Sequence, residues 1–255
     1  MNRVLLHLLM LLSLAACAPL AGREAAPVAV DPAPLLASVR RAADLADSLR
    51  GLAQVSSDSP GGHFSASQAI LAARPDRLRT EALSMFGSPL MILATDGATL
   101  HAWLPGQNRF YAGPATADNL RRFLHLPLSL PDLVRLLHYD IPLMGGEAAG
   151  SRVGDAWQLV VTEGERRAVV RFDAKLRPVS FRLLTGEKEL FSVSYGHFAA
   201  SDGFPRRIRF EQRSENRRLQ IDFKSLELGP GLDDSLFRLK PPAGAVFYPL
   251  QGADS

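Results

Sequence analysis

Between Trp157 and Phe223 the apolar residues fall on every second position: Trp157, Leu159, Val161; Ala168, Val170, Phe172; Val179, Phe181, Leu183; Phe191, Val193, Tyr195; Ile208, Phe210; Leu219, Ile221, Phe223. Successive side chains of a strand point to opposite faces, so each group is a strand with one apolar face. Turn signals at Gly164, Asp173-Ala174-Lys175, Gly186, Ser201-Asp202-Gly203 and Ser214-Glu215-Asn216 separate the groups at short spacing. Six strands joined this way form an antiparallel meander. Arg167, Arg171, Arg182, Arg207, Arg209, Glu211, Arg213, Arg218, Asp222 and Lys224 occupy the opposite faces. They read either as the solvated convex side of a curved sheet or as a contact for an anionic membrane, and the acidic residues among them weaken the second reading.

A second strand-rich region runs from Leu78 toward Pro142. Asp96-Gly97 is a two-residue hairpin signal of the type I′ kind, and Pro105-Gly106-Gln107-Asn108 marks another turn. Leu90 to Leu93 is apolar on both faces, which requires a cover on the second face. The segment that follows supplies candidate covers. Thr116 can cap a helix through ADNLRRFLHL that aligns Leu120, Phe123 and Leu124, leaving Arg121 and Arg122 in water. Ser129, with Pro131 and Asp132 after it, opens a second helix carrying Leu133, Leu136 and Leu137, ended by Pro142 and Gly145-Gly146. The pair reads as a lid over a sheet.

The amino terminus carries the most specific signal. Met1-Asn2-Arg3 is a positive start, VLLHLLMLLSL an apolar run, and Leu14-Ala15-Ala16-Cys17 a small-residue cleavage site ending in the only cysteine. The run is too short to span a bilayer comfortably as a permanent helix. It resembles the bacterial lipobox, which implies a signal peptide over residues 1–16 and a diacylglycerol on Cys17. At ~0.8 kcal/mol per buried CH₂, two or three acyl chains hold a protein on a membrane permanently. Ala18, rather than an aspartate, follows the cysteine, and the resemblance then favours the outer membrane, with the domain facing the periplasm. Residues 17–34, rich in proline and alanine, read as a semi-extended tether, lipidated at its start as the resemblance implies. The net charge is +3, and loss of Arg3 with the signal peptide removes one unit, too little to argue for nucleic acid.

Residues 35–250 are expected to form a single domain. LLASVRRAADLADSLRGL reads as a helix from Leu35 to about Leu52, Ser56 to Gly62 as a polar loop, and HFSASQAILA with DRLRTEALSM as a hairpin around Arg74-Pro75-Asp76. Leu236 to Leu239 reads as a last short strand, followed by the rigid turn Pro241-Pro242-Ala243-Gly244 and a fraying tail. About eleven strands must curl or be covered. The fold expected is mainly β with α: a curved antiparallel sheet, an open half-barrel, with helices covering an apolar cavity.

Signatures of chemistry are missing. The sequence has no GxSxG, HExxH, CxxC or glycine-rich phosphate loop. His63, His101, His125, His138 and His197 have no metal-ligand spacing, and those in the lid, His125 and His138, read as surface or cap residues. Asp96, Asp118 and Asp132 are explained by turns and helix starts. Neither an enzyme, a metal nor a cofactor is expected.

The lipobox, then LRTEALSMFGSPLMILATDGATLHAWLPGQNRFYAG, then NLRRFLHLPLSLPDLVRLLHYDIP, then the meander, resemble in order and pattern the LolA/LolB superfamily, and in particular LolB-like outer-membrane lipoproteins, over roughly Leu35 to Leu250. The resemblance implies a cavity for the acyl chains of lipoproteins, received from a LolA-type periplasmic carrier and passed to the outer membrane by a monomer. It also implies an apolar residue on a protruding loop. Met85 or Phe86, in the turn Met85-Phe86-Gly87-Ser88-Pro89, matches it, and Phe86 either projects there or folds back into the core. Leu90, Ile92, Trp103, Leu124, Leu133, Leu137 and Trp157 are the expected lining of the cavity. The proline-alanine tether and the weakly patterned Ser56 to Ala73 depart from the family. Rival readings of the same fold are an envelope scaffold or sensor that binds a protein partner, and a binder of free lipid.

Overall fold

In a computed structural model of the chain, which describes residues 27–124 and 128–252, the alternating segments are strands of one continuous sheet. The meander comprises β9 (Ala156–Glu163), β10 (Arg166–Phe172), β11 (Pro178–Thr185), β12 (Lys188–Phe198), β13 (Pro205–Gln212) and β14 (Arg217–Leu228). The earlier set is β2 (Ser48–Ser59), β3 (Gly62–Ala73), β4 (Arg77–Leu83), β5 (Pro89–Thr95), β6 (Thr99–Leu104) and β7 (Arg109–Pro114). Three further strands, β1 (Val28–Val30), β8 (Glu147–Val153) and β15 (Val246–Pro249), extend the edges. The fifteen strands run in the order β1-β8-β9-β10-β11-β12-β13-β14-β2-β3-β4-β5-β6-β7-β15. Every pairing is antiparallel except that of β15 with β7.

The apolar face of this sheet packs against three helices, α1 (Ala33–Ala43), α2 (Ala117–Leu124) and α3 (Leu130–Leu137). Leu35, Val39 and Ala42 of α1 are buried in the main core, and the Ser38 hydroxyl donates to the Leu176 carbonyl at 2.5 Å. Both lid helices begin at the residues that the sequence marks. The Thr116 hydroxyl accepts from the Asn119 N–H at 3.2 Å, and the Ser129 hydroxyl accepts from the Asp132 N–H at 3.2 Å while donating to its carboxylate at 2.7 Å.

Four local expectations are revised. The amino-terminal helix stops at Ala43, because Leu49, Gly51, Ala53 and Val55 are buried at period two and belong to β2. A Cβ at position 51 would lie 2.9 Å from the Phe223 ring, so glycine is what lets this ring cross the strand. The presumed loop Ser56–Gly62 is the tip of the long β2–β3 hairpin, held by polar pairs such as Asp58–His63 at 2.7 Å and Gln54–Ser65 at 2.9 Å; polar strands show no alternation of hydropathy. The Asp96-Gly97 hairpin forms, but only Gly97 has positive φ, and the Asp96 carboxylate accepts from the Ala98 and Thr99 N–H groups instead of forming a type I′ turn. Finally, Leu236 to Leu239 is not a strand. Asp234–Phe237 is a 3₁₀ turn capped by Asp233, and the chain end is tied down by β15 and by the Leu250 N–H, which donates to the Ala112 carbonyl at 2.8 Å.

This last segment answers why β5 is apolar on both faces. The helices cover only the inner face. On the outer one, Phe237 is fully buried, the Arg77 guanidinium lies 5.3 Å from its ring centroid, and Arg79 and Arg238 fasten the turn through the Leu236 carbonyl and Asp96, both at 2.9 Å. On the arginine-rich outer face of the meander several arginines are ion-paired, including Arg207–Asp222 at 2.5 Å and Arg218–Glu211 at 3.0 Å, and Arg209 donates to the Gln220 amide oxygen.

Candidate functional site

The inner sheet face and the lid helices do not close on each other completely. Between them lies a cavity of about 490 Å³, walled by β2 to β5 and β14 and roofed by Phe123 and Leu124 of α2 and Leu133 and Leu137 of α3. That size falls within the roughly 300–1,000 Å³ usual for small-molecule sites. Helical spacing explains the roof: residues three and four apart share a face, and both helices turn their leucines to the sheet. Toward the Arg74 turn the interior is filled by Ala72, Leu93, Leu100 and Leu136, none of them exposed. At the other end the lining reaches Gly61, Gly62, His63 and Phe64 at the β2–β3 tip and Leu90 at the start of β5, where Phe64 and Leu90 are exposed to solvent.

Four of the seven residues expected to line the cavity do so: Leu90, Leu124, Leu133 and Leu137. The other three lie elsewhere. Ile92 and Trp103 are cross-strand partners on the outer face, since their parity on β5 and β6 is opposite to that of the buried core residues Leu93 and Leu100. Trp157 packs at the margin of the core, with the Arg152 guanidinium 5.0 Å from its ring centroid. The sequence reading missed Phe64, Phe123, Ile70 and Leu78 in the lining, together with the polar pair Gln68 and Thr80. Even positions of β3 from Ala66 to Ala72 face inward, so parity within HFSASQAILA was the available signal.

The β4–β5 turn adjoins the open end. Met85 is 90% and Phe86 87% exposed. The turn holds its shape through Ser84, whose hydroxyl accepts from the Phe86 and Ser88 N–H groups at 3.3 and 3.1 Å and whose N–H donates to the Ser88 carbonyl at 2.8 Å; Gly87 takes φ +79°. Two large apolar side chains thus project from a braced turn, and three residues beyond Gly87 the strand enters the cavity wall at Leu90.

An ion-pair cluster fixes the lid to the sheet at the closed end. Asp140, just past α3, accepts from Arg74 at 2.6 Å and from Arg135 at 3.0 and 3.1 Å, while Arg74 also donates to the Ala43 carbonyl at 2.9 Å. Burial pushes the Asp140 carboxyl up, but the hydrogen bonds and charges of Arg135 and Arg74 outweigh it and hold the group below its usual range. His138 ends α3 as expected but is fully buried, not at the surface; its Nδ1 lies 2.7 Å from the Val134 carbonyl and burial lowers its pKa. His101, on the outer face 5.9 Å from the Phe110 ring, is lowered for the same reason. Among the described residues no group of three or more His, Cys, Asp or Glu converges on a point that could hold a metal. Cys17 and His125 lie outside the described residues.

No protein-family model and no curated protein matches the sequence. Solved structures do. A LolA superfamily protein of Nitrosomonas europaea superposes with a TM-score of 0.55 at 13% identity, covering 80% of this chain and 97% of the other. A DUF1329 family protein of Desulfovibrio piger gives a TM-score of 0.54 at 15% identity, covering 82% and 98% respectively. The fold is LolA-like. At such identities the likeness is one of architecture alone.

Proposed function

We propose that this protein is a LolB-like lipoprotein acceptor of the outer membrane, anchored through Cys17, which takes the acyl chains of lipoproteins from a LolA-type periplasmic carrier and releases them into the bilayer. The observation that carries this reading is the open apolar cavity between sheet and lid, whose lining suits acyl chains. A purely structural role would have no use for such a space, since protein interiors otherwise pack to crystal density. The braced Met85-Phe86 turn supports the second half of the reading, because exposed apolar groups beside a lipid cavity offer cargo a continuous path to the membrane. Transfer without an energy source requires that cargo bind more tightly here than on the carrier and more weakly than in the bilayer.

The test mixes the chain from Ala18 onward with a LolA-type carrier loaded with an acylated lipoprotein. Cargo should move to this protein, and should stay on the carrier when Leu133 and Leu137 are replaced by glutamine. Cargo that remains on the carrier beside a folded wild-type domain would refute the acceptor role and favour a free-lipid or protein partner.

A further inference from the structure

The cavity carries polar side chains at its open rim, Ser57, Ser59 and His63, and one polar pair set deeper among its apolar residues. Gln68 on β3 and Thr80 on β4 sit diagonally across the ladder, where Gln68 is opposite Ala82 and Thr80 opposite Ile70. The Thr80 hydroxyl donates to Gln68 Oε1 at 2.8 Å, and both residues line the cavity while being only 4% and 9% exposed. That bond uses the carbonyl end of the amide. The two N–H groups on Gln68 Nε2 have no protein acceptor among the described residues, nor is this atom sealed in the interior. Buried amide donors in native proteins almost always have a partner, protein or water, and a donor that faces the cavity is free to exchange water there for an acceptor on a ligand.

We infer that Gln68, oriented by Thr80, donates a hydrogen bond to the carbonyl oxygen of an acyl ester or amide, so that the site recognises carboxyl-derived chains and not hydrocarbon in general. This rests on the reading of the cavity as an acyl-chain site and adds a polar register to it. The position of the pair fits. Gln68 lies in the row Gln68–Ala82–Met91, beside Leu90 at the open end, whereas Ile70, Leu78 and Leu137 line the cavity farther toward the Arg74 turn. A chain with its methyl end among those residues places its carbonyl at Gln68 and whatever is esterified to it at the mouth, next to the Met85-Phe86 turn.

The experiment measures displacement of an apolar fluorescent probe from the chain starting at Ala18 by two ligands of equal length, methyl dodecanoate and dodecyl methyl ether, which differ in one carbonyl. The ester should bind the wild type roughly three- to tenfold more tightly, the range expected of one hydrogen bond. Gln68→Leu and, separately, Thr80→Val should remove that preference by weakening the ester alone, with unfolding temperatures recorded to show that each variant folds. Repeating the comparison with a diacylated lipopeptide and with a phospholipid, both of which carry acyl esters, identifies the source as the one that binds the wild type more tightly; its binding should fall in Gln68→Leu, and undiminished binding overturns the role of Gln68. Equal binding of ester and ether to the wild type, or an ester preference that survives both substitutions, overturns the role of Gln68 and leaves the cavity reading intact. Failure of the probe and of both ligands to bind the folded protein overturns the cavity reading itself, and this inference with it.

Discussion

Met85 and Phe86 touch almost nothing in the folded protein, so their removal separates membrane contact from stability. Taking a Phe or Met side chain out of water contributes about 1.5–3 kcal/mol when fully buried, and these two offer nearly all of their surface. Phe86→Ala should therefore weaken association of the anchor-free chain with neutral vesicles by about 2 kcal/mol, or roughly thirtyfold in partition coefficient. The double change with Met85→Ala should reach several hundredfold, on the order of 4 kcal/mol. Chemical denaturation should show the variants within about 0.5 kcal/mol of the parent, as for surface substitutions that break no cap or network. Vesicle sedimentation at two ionic strengths is the assay, and loss of binding should be independent of salt, which excludes the arginine-rich face as its origin. Parent-like partitioning of the double variant would remove the turn from the mechanism. A marked fall in stability would show that these side chains pack against the domain after all.

Asp140→Asn should cost about 2–3 kcal/mol in urea unfolding, below the range for fully buried pairs because Arg74 and Arg135 both reach solvent. The Asp140 carboxyl titrates below its unfolded value near 3.9, so its contribution is present above that pH and is lost as the pH falls through the lower folded value; the variant should lack this acid-induced loss. His138 is held neutral by burial, which makes its contribution full above about pH 6.5 and declining below it, so His138→Leu should flatten the stability profile between pH 7 and 5, and an unchanged slope would refute the assignment. Ser129→Ala removes the α3 cap and should lower stability by about 1 kcal/mol, read by thermal unfolding.

The meander was legible because each of its strands buries one face only, which writes a period of two into the residues. The lid helices were legible for the matching reason, with caps at Thr116 and Ser129 in place. Strands β1, β2, β8 and β15 left weak traces. β8 reads EAAGSRV, with little apolar content, and β2 contains Leu49 and Ala53, which suit the preceding helical period as well as the strand. What covers the outer face of β5 lies at Phe237, some 140 positions away, and no local pattern reports so distant a partner. In the cavity, Leu124, Leu133 and Leu137 could be placed from helix spacing, whereas Ile92 and Trp103 required a strand parity that hydropathy leaves open when both faces are apolar. Gln68 is a single polar residue in an apolar alternation; only its hydrogen-bond accounting gives it meaning.

The strand order also fixes when the protein can become folded. Eleven of the fourteen neighbouring pairs in the sheet are hairpins that can zip locally; β1–β8 and β7–β15 add edge strands from far along the chain, and between the two ladders β14 pairs with β2 across about 160 or more positions, from Arg218 with Asp58 to Leu228 with Leu49. This seam makes one sheet of two ladders, and it cannot form until the chain is complete through Leu228. High separation between paired residues slows folding, and the rate-limiting event is expected to be closure of the seam. The cavity waits on the same event, because its wall takes Val55 from β2 and Leu219 and Ile221 from β14, so a chain with its seam unjoined has hairpins but no binding site.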